Sequence, residues 1–217
     1  MFSLTEKDNL TIFDVNFDKY LYKERLFSYV YQVECIREIN PENILEIGVG
    51  SGLQKEILIH CFPNSKVFTL DIEPSLGPDF CGDVLKIPIK NKSIDAVFCC
   101  QVLEHLPYDK FILALKELKR VCKKRIIISL PDVNPFFFIR FYKLRRIFPF
   151  LWRGFSLPRI ISQKHSYEEH GQHYWEIGKK DFPLKRIRKD LKIVKLNLIK
   201  DFRMVERPYW HFFVLEV

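Results

Sequence analysis

The sequence contains no run that approaches the roughly 18 uncharged apolar residues of a membrane-spanning helix. It contains no Cys-x-x-Cys, so its six cysteines suggest neither a zinc site nor a redox pair. Its first residues, Met1-Phe2-Ser3-Leu4-Thr5-Glu6-Lys7-Asp8, are polar and mixed in charge, unlike a secretory leader. Cys35, Cys61, Cys81, Cys99, Cys100 and Cys122 stand in apolar surroundings and are expected as reduced, space-filling thiols of a cytoplasmic protein. Glycine is sparse at 8 of 217 residues, yet three of the eight fall within five positions, Gly48 to Gly52.

What is present points to one folded domain. The 47% hydrophobic and 15% aromatic content excludes a disordered chain, and the length suits a single core. Charge is unevenly placed. Residues 1–130 carry 17 basic against 18 acidic side chains, and residues 131–217 carry 18 against 9. The net charge of +8 therefore belongs to the C-terminal part.

The glycines follow a short apolar strand, Ile44-Leu45-Glu46-Ile47, and precede a helix-compatible run over 53–60. A strand that enters a helix through glycines exposes backbone N–H groups to a ligand at a helix N-terminus. The pattern is not the dinucleotide fingerprint, because Leu53 stands where that fingerprint needs its third glycine. Residues 18–39 suit an amphipathic helix ended by Asn40-Pro41. Lys66 to Asp71 reads as a second strand ending in a carboxylate, with Glu73 just beyond. An acid about 20 residues after such a turn is placed to accept from ribose hydroxyls; an isolated strand-end acid is otherwise solvated.

Residues 79–84 and 93–100 read as two more strands, 107–123 as a helix with Phe111, Leu115, Leu118 and Cys122 on one stripe, and 125–131 as a fifth strand. Strands alternating with helices imply right-handed crossovers and a parallel sheet. Residues 132–178 interrupt that rhythm. Their start, from Pro135 to Phe148, aligns Phe137, Phe141, Leu144 and Phe148 as a helix would. A helix or turn over 181–190 and two strands, 191–205 and 210–217, close the chain as a hairpin, so the sheet ends antiparallel.

Five segments in this order resemble the class I S-adenosylmethionine-dependent methyltransferases, in particular the type 11 group of small-molecule enzymes. They are Leu45-Glu46-Ile47-Gly48-Val49-Gly50-Ser51-Gly52, Leu70-Asp71-Ile72-Glu73, Gly82-Asp83-Val84, Ser93-Ile94-Asp95-Ala96-Val97 and Gln101-Val102-Leu103-Glu104-His105-Leu106. The resemblance is strong over about 40–131, with Val49 a mild departure. It implies an α/β, Rossmann-like, doubly wound and mostly parallel sheet of order 3-2-1-4-5-7-6, its last strand antiparallel, with a helical insertion after strand 5. One domain would then comprise an N-terminal arm and helix (1–40), a cofactor-binding core (41–131), an insertion or substrate lid (132–178) and a C-terminal helix and hairpin (179–217).

The resemblance also implies roles. Glu46, Gly48, Gly50 and Gly52 would hold the amino-acid part of S-adenosylmethionine, and Asp71 its ribose hydroxyls. Ile72 would pack on the adenine, Asp83 would accept from its amino group beside Val84, and Gln101 would line the methionine portion. Catalysis needs mainly an acceptor held in line with the methyl. A hydroxyl acceptor also profits from a base, for which His105 and His173 are the candidates; the resemblance implies that His105, in a Glu-His-Leu, is often structural. His165, His170 and His173 alternate with aromatics, but no cysteine or carboxylate completes a convincing ligand set with them, so no metal is expected. Asp132-Val133-Asn134-Pro135-Phe136-Phe137 follows the fifth strand rather than the fourth and reads as a turn, not an amino-methylation signature. The expected activity is methyl transfer to a small molecule that is anionic, apolar or presented at a membrane, with peripheral membrane contact through 135–161. A non-catalytic scaffold on the same fold and a nucleic-acid methyltransferase are the alternatives; no nucleic-acid module is evident.

Overall fold

The computed structural model describes residues 22–138, 154–156 and 173–217. Four α-helices are present among these: α1 (Lys23–Ile36), α2 (Leu53–Cys61), α3 (Phe111–Val121) and α4 (Leu184–Ile193). The strands in chain order are β1 (Asn43–Ile47), β2 (Lys66–Asp71), β3 (Phe80–Cys81), β4 (Ile94–Cys100), β5 (Cys122–Pro131), β6 (Phe136–Phe138), β7 (Gly154–Ser156), β8 (Asn197–Arg203) and β9 (Trp210–Glu216). Seven form one sheet in the order β3-β2-β1-β4-β5-β9-β8. All pairings from β3 to β5 are parallel, whereas β9 runs antiparallel to both its neighbours. Counting within that sheet alone, the order is the expected 3-2-1-4-5-7-6.

The strands sit where they do because both faces of the sheet are covered. Side chains alternate along β5: Ile126 and Ile128 join one core cluster and Ile127 the other. β9 repeats the pattern, with Phe213 and Leu215 on the first side and Phe212 and Val214 on the second. The first cluster packs under α3 and α4 through Phe111, Leu115, Leu118, Ile187 and Leu191. The second packs under α1 and α2 through Val33, Ile36 and Leu58. Central strands buried on both faces read as continuous apolar runs, as these do.

Several boundaries differ from the sequence expectation, among them Cys122, which begins β5 instead of ending the helix before it, and three differences have a clear physical cause. Leu191, expected in a strand, lies in α4, because Ile187, Leu191 and Val194 continue a helical stripe into the core before Lys195 turns at φ +58°. Phe136–Phe138, expected as the start of a helix, is a strand paired with Gly154–Ser156 in a separate two-stranded sheet; there backbone pairing overrides the apolar stripe. α3 begins at Phe111, four residues after Pro107, because Pro107 is extended at ψ 139° and a single 3-10 turn intervenes. The remainder of 135–161, with its proposed surface contact, lies outside the described residues, as do His165 and His170.

The end of the 132–178 segment belongs to the core. Trp175 is fully buried, donates its indole N–H to Leu106 O at 3.0 Å, and packs against Tyr108, Phe111 and Phe182. Backbone bonds Tyr174 N to Glu104 O (2.8 Å) and Ile177 N to Pro131 O (2.9 Å) fasten the same stretch across the carboxyl ends of the strands. That pinning sets one wall of the site.

Candidate functional site

The turn after β1 needs glycine for a specific reason. Gly48 has φ +88°, and a Cβ there would meet Val102 Cγ2 at 2.7 Å. Its N–H reaches Leu70 O at 2.9 Å, while Val49 N donates to Asp71 Oδ2 at 2.8 Å. Asp71 therefore locks the turn to the end of β2, and its Oδ1 accepts from Glu73 N at 3.0 Å. Asp83 accepts from Leu85 N through Oδ1 only (2.8 Å), leaving Oδ2 without a partner among the described residues. Gln101, just beyond β4, is held at φ +57°, a left-handed conformation that non-glycine residues rarely adopt outside functional turns. Its N–H and side-chain amide both reach Ser129.

These positions converge on a cleft of about 650 Å³ at the carboxyl ends of β1, β2 and β4. Gly48, Gly50, Asp71, Ile72, Asp83, Val84 and Gln101 line it. Ile72, 70% exposed, offers an apolar surface on its rim. Glu46 lies beside it, on a smaller cavity of about 50 Å³ shared with Gly48, Gly50 and Gln54. Gly52 lines neither; at φ +75° it caps the N-terminus of α2. Inside the small cavity Glu46 Oε2 and both amide atoms of Gln54 are buried with no partner in the described structure. Burial pushes the Glu46 carboxyl up to about 8, with Lys55 opposing weakly. Buried polar atoms left without partners are costly, so this corner is built for a polar guest.

One end of the cleft carries Glu104, His105 and His173. The two imidazoles meet edge-on with ring centroids 5.0 Å apart. His173 Nδ1 lies 3.1 Å from Glu176 Oε1, which also accepts a short bond from Tyr209 OH. That carboxylate raises the His173 pKa, against a desolvation that lowers it. Both histidines named from the sequence thus face the same space, although 68 positions separate them in the chain.

At the other side Tyr22, Arg25, Arg207 and Trp210 line the mouth. The guanidinium carbons of Arg25 and Arg207 lie 5.5 and 5.2 Å from the Trp210 ring and 5.6 and 5.5 Å from the Tyr22 ring. No local signal in the sequence marks this collar, since its members come from opposite ends of the chain. Glu176 and Tyr209 likewise carry no local signal.

Residues 45–128 match the methyltransferase-domain family. The match runs from β1 into β5 and marks a likeness to methyltransferase domains. The chain is 25% identical over 148 residues to the demethylmenaquinone methyltransferase of Thermotoga maritima, a match covering 60% of this chain and 64% of that protein. It thus spans less than two thirds of that relative. The fold is that of N-methyltransferase NodS from Bradyrhizobium japonicum in complex with S-adenosylhomocysteine (TM-score 0.60, 11% identity, 94% of this chain and 92% of that one). It is also that of magnesium protoporphyrin IX methyltransferase from Synechocystis with bound S-adenosylmethionine (TM-score 0.58, 17% identity, 93% and 84%).

The residues that line the cleft and the small cavity beside it fit S-adenosylmethionine. The partnerless Glu46 and Gln54 atoms match a guest with an ammonium and a carboxylate, and the Cβ-free Gly48 leaves the backbone open to close approach. Exposed Ile72 and the open Oδ2 of Asp83 match an adenine that is apolar on its face and polar at its edge. No helix among the described residues is long and apolar enough to cross a membrane.

Proposed function

We propose that this protein moves a methyl group from S-adenosylmethionine to a small, anionic or largely apolar acceptor that enters past Arg25 and Arg207 and stops at Glu104, His105 and His173. The observation that supports this reading is the continuity of the cleft. One space runs from the Asp71 and Asp83 carboxylates, past Gln101, to the two histidines, and opens at the arginine collar. S-adenosylmethionine supplies an electrophilic methyl on a good leaving group. Glu46 and Gln54 would hold its amino-acid end, Asp71 the ribose hydroxyls, Ile72, Asp83 and Val84 the adenine, and Gln101 the stretch nearest the sulfur.

The remaining work is placement. The acceptor's nucleophilic atom must lie in line with the methyl, and a rigid wall achieves this more effectively than new chemistry would. The wall is rigid here because Tyr174 N and Trp175 Nε1 bond to the Glu104–Leu106 turn. His105 and His173 are the groups placed to take or withdraw the proton of a hydroxyl acceptor, with Glu176 orienting His173. The collar favours an anionic or aromatic acceptor, since guanidinium groups over Tyr22 and Trp210 offer charge beside flat apolar faces. The names of the relatives, which specify demethylmenaquinone and magnesium protoporphyrin IX, are consistent with such molecules.

Calorimetry with S-adenosylmethionine tests the cofactor half. Binding is expected for the wild type, with a loss of at least about tenfold in Asp71→Ala, which removes both the ribose acceptor and the bond that holds Val49. Unchanged affinity in that variant would sink the assignment. For the acceptor half, S-adenosylhomocysteine formation is followed over a panel of phenols, quinols and carboxylates. Turnover that survives Arg25→Ala/Arg207→Ala with unaltered KM would remove the collar from acceptor recognition.

A further inference from the structure

We infer that Glu104, His105 and His173 form a binding site for a divalent transition-metal cation at the acceptor end of the cleft. This rests on the reading above for its purpose, but not for its geometry. One carboxylate oxygen and one nitrogen from each imidazole all lie within 4.8 Å of one another. A tetrahedral ion with bonds of about 2.1 Å holds its donors about 3.4 Å apart, so closing the set needs only small side-chain rotations.

A second observation concerns Glu104 itself. It is 0% exposed, and neither of its carboxylate oxygens has a hydrogen-bond partner among the described residues. A buried carboxylate is normally paired, hydrogen-bonded or bound to a metal. Glu104 lines the cleft together with the two histidines. The surroundings also have the form that metal-ligating histidines require. His173 directs Nδ1 to Glu176, which Tyr209 OH holds in turn, an arrangement that fixes the ring. The backbone is fixed too, through Tyr174 N to Glu104 O.

Two imidazoles and one carboxylate suit Zn²⁺, Mn²⁺, Fe²⁺ or Co²⁺ and leave coordination positions open. An acceptor oxygen entering the cleft can occupy such a position. Its proton is then released to water, and the oxygen lone pair attacks the methyl carbon as the carbon–sulfur bond breaks. With the ion in place the histidines act as ligands rather than as bases. The sequence does not reveal this set because Glu104 and His173 are brought together only by the fold.

Mn²⁺ binding to the full chain, followed by electron paramagnetic resonance of the free ion, tests the site. One ion per chain is expected, with binding abolished in Glu104→Gln and in His173→Asn. Glu176→Gln, which loosens His173 without removing a ligand, is expected to weaken binding about tenfold. Exposed His60 and Cys61 are removed in a His60→Asn/Cys61→Ser background, where one ion per chain should persist. Calorimetry with S-adenosylhomocysteine on the same variants reports folding. No Mn²⁺ binding by the wild type overturns the site, as does binding that persists in Glu104→Gln and His173→Asn, or binding lost with His60 and Cys61. Ion binding without S-adenosylhomocysteine binding would leave the metal site standing and defeat the methyl-transfer reading instead; the reverse result defeats the metal alone.

Discussion

At the scale of single residues, Glu46 makes the most specific demand. Burial holds its carboxyl at about 8, against an ordinary 4.5, so without ligand it is mostly protonated at pH 7. A cofactor ammonium placed beside it favours the carboxylate, so binding should release a proton. Affinity for S-adenosylmethionine is therefore expected to rise as pH climbs toward 8. Calorimetry in buffers of different ionisation enthalpy should detect a release that Glu46→Gln abolishes. The sign for stability runs the other way. Between pH 4.5 and about 8 the folded state of the free protein binds more protons at this site than the unfolded chain, so its contribution to stability falls as pH rises through that window. Urea midpoints that decline between those limits in the wild type, and less steeply in Glu46→Gln, would show it. Gly48 makes a steric demand in the same corner. Gly48→Ala adds strain at φ +88° and a 2.7 Å contact with Val102 Cγ2, expected to cost about 1–3 kcal/mol. Adding Val102→Ala should recover only part of the loss in thermal denaturation, because the backbone strain remains.

At the scale of elements, the edge where the sheet turns antiparallel is held by charge as well as by apolar packing. Asp132, directly after β5, is buried and meets His211 Nδ1 of β9 at 2.8 Å. Arg203, at the end of β8, donates to the carbonyls of Pro208, Asn134 (2.7 Å) and Asp132 (2.9 Å). Asp132→Ala removes the carboxylate facing two buried basic side chains, and a loss of about 3–5 kcal/mol is expected from urea denaturation. A loss below about 1 kcal/mol would mean that solvent already screens the group. The contrast between this edge and the β1 turn explains what could be read from the sequence. Glu46, Gly48, Asp71, Asp83 and Gln101 stand at or just beyond strand ends, in short contiguous motifs, so their meeting at one end of the sheet was legible by order and spacing. Asp132, Arg203 and His211 are scattered over some 80 positions and meet only after β9 pairs with β5. Leu191 was misread for a related reason: its helical stripe of Ile187, Leu191 and Val194 is three residues long and lies inside a run of lysines and arginines. Periodicity in so short a stripe does not separate helix from strand.

At the scale of the whole molecule, the cleft is complete only when distant segments close over the cofactor core. The methyltransferase-domain match ends at residue 128, yet His173, Arg207 and Trp210 of the cleft all lie beyond it. Trp175 is the tie between the halves. It is fully buried, touches Tyr108, Phe111 and Phe182, and bonds to Leu106 O, the backbone next to the acceptor-side histidine. Trp175→Ala should therefore cost about 3–5 kcal/mol, a large share of the roughly 5–15 kcal/mol that such domains possess. Trp175→Phe keeps most of the apolar contact but loses the indole donor, and should cost less. The two substitutions are expected to separate the functions of the cleft. Asp71, Asp83 and Gln101 do not touch Trp175, so calorimetry with S-adenosylhomocysteine on the folded fraction of Trp175→Phe should give near wild-type affinity. Turnover should fall further, because the segment carrying His173 loses one of the bonds that align it with Glu104. Equal losses of cofactor affinity and turnover would mean that the two ends of the cleft move as one body, and that Trp175 supports the whole rather than the acceptor wall.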